Sequence, residues 1–328
     1  MHLHTLISFL EVGFRIVTSA TALHRRDIES NVIWERNGDE NLLDYIAVRP
    51  SGTILATSTG GPHIWHIDPM AHTGSRAFEV PGFDETNGIT ETEKDVYIFG
   101  ALTTAGSYSI WRLDLSGHDD RTAVPEKIAD LEETWSVIPE SRLRMARWDD
   151  TRVLVCGPQD PETGRKVHAL YMLDTATADF SVAFEFDGVE HNGLGSEWSE
   201  VLDILVHGRS VYIVGGTEGD LYRFDVDDDA RIREGTKPER LTDDARLWAA
   251  DIRDDGTVYA TVRRQFAEAS YFNLVMIGKD GGIEEIAHEI GVASSVKLGR
   301  TRRDRSTLYM ATRNWDEHVT QVVAMELD

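Results

Sequence analysis

The chain has 328 residues, 41% of them hydrophobic, enough to build one large core or two ordinary ones. Acidic residues outnumber basic ones 57 to 33, and the resulting formal charge of -24 repels phosphate backbones and anionic lipid, which argues against nucleic acid or a membrane surface as partner. A single cysteine, Cys156, precludes an internal disulfide, and no Cys/His zinc spacing occurs.

Residues 1–30 form an N-terminal segment read as signal-like or disordered. Leu6-Ile7-Ser8-Phe9-Leu10 and Ile16-Val17 are apolar, and Ala20-Thr21-Ala22 has the small-residue form of a cleavage site. Against this, Glu11 and Arg15 interrupt the apolar stretch, which no Lys or Arg precedes. The segment is too short and too charged to span a bilayer. Secretion and a cytoplasmic location both stay open.

Residues 31–328 read as one unit written six times, an apolar strand, a polar turn, a second strand and a third ending in Asp or an equivalent. Val32-Ile33-Trp34-Glu35-Arg36 precedes the first copy and is expected to add an outer strand to the last one, closing a ring. The first copy runs through Asp44–Arg49, Thr53–Ser58 and His63–Asp68, the second through Asn87–Ile89, Val96–Gly100 and Ser109–Asp114. The third holds Val153–Val155 and Ala169–Asp174, and the fourth Val211–Val214 and Leu221–Asp225. The fifth holds Gly256–Thr261 and Asn273–Ile277, and the sixth Thr307–Thr312 and Val322–Leu327. Cys156 is expected to be a buried strand residue at the end of Val153-Leu154-Val155.

Third strands such as Ile110-Trp111-Arg112-Leu113-Asp114 alternate apolar and polar, whereas second strands are nearly continuous Val, Ile, Leu and Tyr, the pattern of strands covered on both faces. Pro50-Ser51-Gly52, His207-Gly208-Arg209 and Asp254-Asp255-Gly256 are tight turns between first and second strands. Spacings of roughly 43 to 59 residues fit four-stranded blades around an axis. The expected fold is all-β, a single six-bladed β-propeller.

In such a ring the starts of the innermost strands share one face with the loops between second and third strands. Asp44, Tyr45, Asn87, Arg144, Trp248 and Ser294 fall at strand starts. Loops are expected to add Thr103 and Thr104, Arg165 with His168, Arg263 with Arg264, and Arg313-Asn314-Trp315-Asp316-Glu317-His318. Each residue has an ordinary alternative. Tyr45 and Trp248 would pack the channel, Arg144 would pair with a carboxylate, Asn87 would make a turn before Gly88, and His168 and His318 would be solvated.

In the order of its pieces the repeat region resembles the senescence-marker-protein/gluconolactonase/strictosidine-synthase-like propellers of fungi. The pieces are Tyr45–Gly52, Trp65–Pro69, Thr86–Thr90, Gly219–Phe224, Asp254–Tyr259 and Ser294–Gly299. The resemblance implies a divalent cation held on the axis by a Glu, two Asn and an Asp from four strand starts, a set of oxygen ligands suited to a hard ion. By strand register the Glu position falls on Asp44, the Asn positions on Leu143 and Leu202, and the Asp position near Trp248 or Ala249. Asn192 or Asp203 would substitute only after a register slip.

A branch of these fungal propellers lacks the metal set, and this chain is similar to it in blade pattern, length and ligand loss. Its members resemble hetero-Diels–Alderases of secondary metabolism that join a tropolone quinone methide to a humulene-type sesquiterpene. What this implies is a pericyclase using neither metal nor cofactor. Arg144 and Tyr45 would bind a carbonyl oxygen, and His318 would assist loss of water. Asp44, Asn87, Trp248, Ser294, Arg263 and Trp315 would hold apolar small-molecule substrates in place. A metal-dependent lactonase and a non-catalytic binding propeller are the alternatives. Gly-x-Ser-x-Gly, His-Glu-x-x-His and a phosphate-binding loop are all missing.

Overall fold

Runs of Val, Ile, Leu and Tyr between turn residues leave this chain little choice but antiparallel hairpins, and the computed structural model contains them in repeated form. It describes residues 28–38, 42–104, 106–117, 122–131, 143–156, 169–185, 201–215, 219–233, 235–243, 245–266, 269–314 and 319–327. Strand β1 (Ser30–Asn37) comes first in the chain but belongs to the last sheet. Blade one is β2 (Leu43–Val48), β3 (Ile54–Ser58), β4 (His63–Asp68) and β5 (Thr73–Glu79). Blade two is β6 (Glu85–Glu91), β7 (Val96–Leu102), β8 (Tyr108–Asp114) and β9 (Glu126–Leu131). Blade three is β10 (Met145–Arg147), β11 (Arg152–Cys156), β12 (Ala169–Asp174) and β13 (Phe180–Glu185). Blade four is β14 (Val201–His207), β15 (Ser210–Gly215), β16 (Asp220–Asp225) and β17 (Glu239–Arg240). Blade five is β18 (Leu247–Ile252), β19 (Val258–Phe266), β20 (Ala269–Ile277) and β21 (Ile283–Ala287). Blade six is β22 (Val292–Leu298), β23 (Thr307–Asn314) and β24 (Val319–Glu326), completed by β1 in the order β1-β24-β23-β22.

The chain is thus a six-bladed β-propeller. Its core is radial rather than central, because each blade interface carries its own apolar layer. Tyr45, Leu55, Tyr97 and Phe99 fill the space between blades one and two, and Leu154, Ile204, Ile213 and Phe224 that between three and four. Second strands are covered on both faces, and every residue of β3 and β7 is buried. Outer strands face water on one side, and β17 is exposed throughout.

The expected turns are in place. Gly52 N donates to Arg49 O (2.9 Å) and Gly256 N to Arg253 O (2.8 Å), the same closure in blades one and five. Both glycines have positive φ, which an L side chain there would strain.

Ring closure follows the expectation for Val32–Arg36. β1 pairs antiparallel with β24 from Ser30↔Met325 to Asn37↔Val319. Trp34 then lies against the wholly buried Trp65 of blade one, ring centroids 5.2 Å apart. Leu43 N donates to Thr320 Oγ1 (3.3 Å), a further tie across the seam.

Three local expectations change. Arg263 and Arg264 lie within β19, opposite Phe272 and Tyr271, because the β19–β20 hairpin continues several residues past the turn expected for it. Arg313 is likewise a ladder residue of β23, opposite Thr320. Cys156 is half-buried, since it sits at the open end of β11. No helix among the described residues is long and apolar enough to cross a membrane.

Candidate functional site

The six inner strands β2, β6, β10, β14, β18 and β22 begin at one end of the channel, and five of them are bulged there. Pairing with the second strand slips between Leu43 and Ile46, Asn87 and Ile89, Val201 and Asp203, Leu247 and Ala250, and Ala293 and Ser295. A bulge leaves residues out of the ladder and re-aims their side chains. Here those residues include Asp44 with Tyr45, Gly88, Leu202, Trp248 with Ala249, and Ser294.

The amides freed by bulging are satisfied locally, as buried amides must be. Tyr45 N donates to Thr57 Oγ1 (3.0 Å), and Ala249 N to Thr261 Oγ1 (3.2 Å), so blades one and five use a threonine at the same place. Gly88, with φ of 49°, lets blade two come close to blade three. A Cβ there would stand 2.6 Å from Leu143 O.

Around this end the polar side chains gather. The buried Arg144 guanidinium lies over the Tyr45 ring, 4.7 Å from Cζ to centroid, and its Nε donates to Leu202 O (2.6 Å). Asp44 is completely buried, with Arg313 Nη2 3.9 Å from its Oδ1. Arg313 itself is clamped, donating from Nε and Nη2 to Leu43 O (3.1 and 2.7 Å) and from Nη2 to Thr59 Oγ1 (3.1 Å). Asn87 Nδ2 donates to the Tyr108 hydroxyl (3.3 Å), while Asn87 Oδ1 accepts no hydrogen bond from any described residue.

Burial pushes the Tyr108 phenol up to about 12, with the negative charges of Glu85 and Asp44 adding to the effect and the Asn87 bond and Arg144 opposing it. It therefore keeps its proton at neutral pH and can donate it in a hydrogen bond.

Deeper in the same wall, Asp203 accepts from Ile204 N and Ala250 N, both at 2.9 Å. Burial drives its carboxyl above the ordinary carboxylate range, although Lys297, the Ala250 amide and Arg144 pull the other way. Lys297 reaches Asp251 at 3.4 Å, and the charges of Asp251 and Asp203 hold its proton against the burial that favours losing it.

The structure thus brings Asp44, Tyr45, Asn87 and Arg144 into one cluster. It adds Tyr108, which no sequence feature singled out, and Arg313, expected on a loop. Trp248 and Arg263 form a second group, with the Arg263 guanidinium 5.9 Å from the Trp248 ring centroid and Phe272 edge-on to that ring at 6.1 Å. The Ser294 hydroxyl is engaged with the Leu43 and Ala311 carbonyls, both at 3.3 Å. Thr104 N donates to Asp84 Oδ2 (2.6 Å), and Thr103 bonds within its own turn. Trp315, His318, Arg165, His168 and Asn192 lie outside the described residues.

These residues do not suit a divalent cation. Three of the four positions implied as ligands carry the hydrocarbon of Leu143 and Leu202 and the indole of Trp248, which offer no oxygen to a hard ion. The remaining one, Asp44, already has a guanidinium beside it. Among the described residues no group of three His, Cys, Asp or Glu converges.

No family model matches the sequence, and no curated protein matches it either. Solved structures do match in shape. The gluconolactonase of Xanthomonas campestris superposes with a TM-score of 0.61 at 11% identity, covering 94% of this chain and 93% of its own. A luciferin-regenerating enzyme gives 0.60 at 12% identity, over 89% and 94% of the two chains. Virginiamycin B lyase of Staphylococcus aureus gives 0.55 at 11% identity, over 92% of this chain and all of its own. At such identities the likeness shows a shared overall fold and nothing finer.

Proposed function

We propose that this chain is a small-molecule enzyme working at the bulged end of its channel, and that its reaction is a metal-independent hetero-Diels–Alder cyclisation. The partners would be a quinone-methide-type heterodiene and a terpene alkene, as in fungal secondary metabolism. The observation that carries this reading is the buried guanidinium of Arg144, fixed by the Leu202 carbonyl and the Tyr45 ring, close to a phenol that stays protonated.

A cycloaddition redistributes bonding electrons between its two partners and needs no net proton or electron from the protein. What it requires is contact in the right orientation and polarisation of the heterodiene carbonyl. Arg144, held by the Leu202 carbonyl, and the protonated Tyr108 hydroxyl are assigned as the donors to the charge that builds on the oxygen. Trp248, which fails as a metal ligand and is only partly buried, is assigned as an apolar wall that helps turn an encounter into a fixed geometry. Asn87 Oδ1 is left to accept from a substrate hydroxyl. The proton for loss of water is assigned to His318 on sequence grounds.

The second reading is a metal-dependent lactonase or related hydrolase, favoured by the fold shared with the Xanthomonas campestris gluconolactonase and by a carboxylate at position 44. One set of assays separates the two. Arg144→Ala should lower kcat for cyclisation of a model heterodiene and alkene by on the order of 100-fold, with Arg144→Lys intermediate. Parental rates in Arg144→Ala would remove the proposal. Lactone hydrolysis that requires added calcium or zinc and vanishes in Asp44→Asn would put the second reading in its place.

A further inference from the structure

At the other end of the channel, where the inner strands finish, all six blades line a cavity of about 680 Å³. Much of its lining is apolar, with Ile46, Val48, Ile89, Ala146, Ile204 and Ile252 among the lining residues. Much of the rest is charged: Arg147, Arg253, Lys297, Arg300, Arg302 and Arg305 lie there with three acids among the described residues, Glu91, Asp251 and Asp254. On a chain of net charge -24 this local excess of cations stands out.

Four of the six cations have protein partners. Arg300 pairs with Glu91 and donates to Val48 O (3.2 Å), and Lys297 pairs with Asp251 (3.4 Å). Arg147 pairs with Asp150 (2.5 Å) and Arg253 with Asp255 (2.7 Å). The other two, Arg302 and Arg305, have no ion-pair or hydrogen-bond partner among the described residues. Both are exposed on the turn between β22 and β23.

That turn is built rather than loose. Asp304 is buried beneath it, and its Oδ1 accepts from both the amide and the hydroxyl of Thr301, each at 2.6 Å. The Tyr309 hydroxyl donates to Asp304 Oδ2 (3.3 Å). Gly299 permits the fold-back, since a Cβ there would overlap the Asp304 carbonyl oxygen. Two unpartnered guanidiniums are therefore carried on a pinned turn over an apolar throat. A guanidinium fork matches a carboxylate in geometry and charge.

We infer that this cavity is a second binding site, for an apolar small molecule carrying one carboxylate. Its hydrocarbon occupies the throat, and its carboxylate sits on Arg302 and Arg305. The inference concerns the opposite end of the channel and stands whether or not the cyclisation proposed above is correct.

The test uses decanoate and its uncharged counterpart decanol in calorimetric titrations of the full chain at low ionic strength, where such pairing is least screened. Decanoate should bind at one saturable site. Arg302→Ser/Arg305→Ser should weaken that binding by on the order of tenfold or more, as loss of charge-assisted hydrogen bonds predicts. Both positions are exposed, so an unchanged melting temperature will verify that the double variant is folded. Decanol should bind the parent as weakly as decanoate binds the double variant, and Arg263→Ser at the far end should leave decanoate affinity unchanged. Absence of saturable decanoate binding would overturn the inference, as would equal affinity in the double variant, equal affinity for decanol, or loss of binding in Arg263→Ser.

Discussion

Asp203 is the residue at which burial and charge compete most directly. Its two oxygens take backbone amides from blades four and five, which favours the carboxylate, yet burial outweighs them and raises its pKa. A carboxyl raised in the folded state keeps its proton to higher pH there than in the unfolded chain. Its contribution to stability is complete below the unfolded value, about 3.9, and is lost as pH rises through the folded one. Asp203→Asn cannot lose that proton, so its melting temperature should fall less than the parent's as pH is raised from about 4 towards 8. Thermal melts across that range check the slope, and parallel curves would mean the carboxyl titrates normally. Asp44, Tyr45, Asn87 and Arg144 were legible from sequence because each falls where an inner strand begins. Tyr108 was not, since it opens a third strand and its bond to Asn87 comes from pairing within the same blade. A bond of that kind depends on register, and register is a property of paired strands, not of either one.

Among the elements, the strands buried on both faces were the easiest to recognise. Unbroken runs such as Val96–Leu102 have few other uses. Outer strands left weaker traces. Glu126–Leu131 and Glu239–Arg240 are polar because water covers one side, and a polar stretch reads equally well as loop. The exception was β1, legible through Ile33 and Trp34, whose apolar bulk has to be buried somewhere. In the structure it is buried against the first blade, where Trp34 meets Trp65 and the Arg36 guanidinium covers the other ring at 4.7 Å. Trp34 is therefore, with Ile33 and the β1–β24 ladder, one of the ties that close the ring. Trp34→Ala should cost about 3–5 kcal/mol, the range for emptying a large aromatic site. Urea unfolding will read this as a lower midpoint, and an unchanged midpoint would mean that β1 does not close the ring in solution. The bulges themselves were invisible in sequence, because each is one slip of register inside an otherwise ordinary strand.

For the molecule as a whole, the fold was legible through repetition, and its chemistry far less so. Six copies of a pattern define a ring, whereas a site depends on the few places where the copies differ. The uneven charge belongs to this scale too. A net charge of -24 repels itself across the surface and weakens the compact state. Raising sodium chloride from about 0.01 M to about 1 M shortens the screening length from roughly 30 Å to 3 Å and should raise the melting temperature. A melting temperature that falls with salt would show that ion pairs, Arg49–Asp95 and Arg300–Glu91 among them, outweigh the repulsion.

The seam of the ring also decides how the protein answers a mechanical load. Ser30 lies opposite Met325, so the two ends of the propeller leave the same sheet side by side. Tension applied between them does not shear β1 along β24. It peels the pair apart one hydrogen bond at a time, beginning at Ser30 and Met325, which is the weak direction of an antiparallel ladder. A ring whose blades share their cores so evenly thus has a designated place to open, and once open it is a row of hairpins with two free sides.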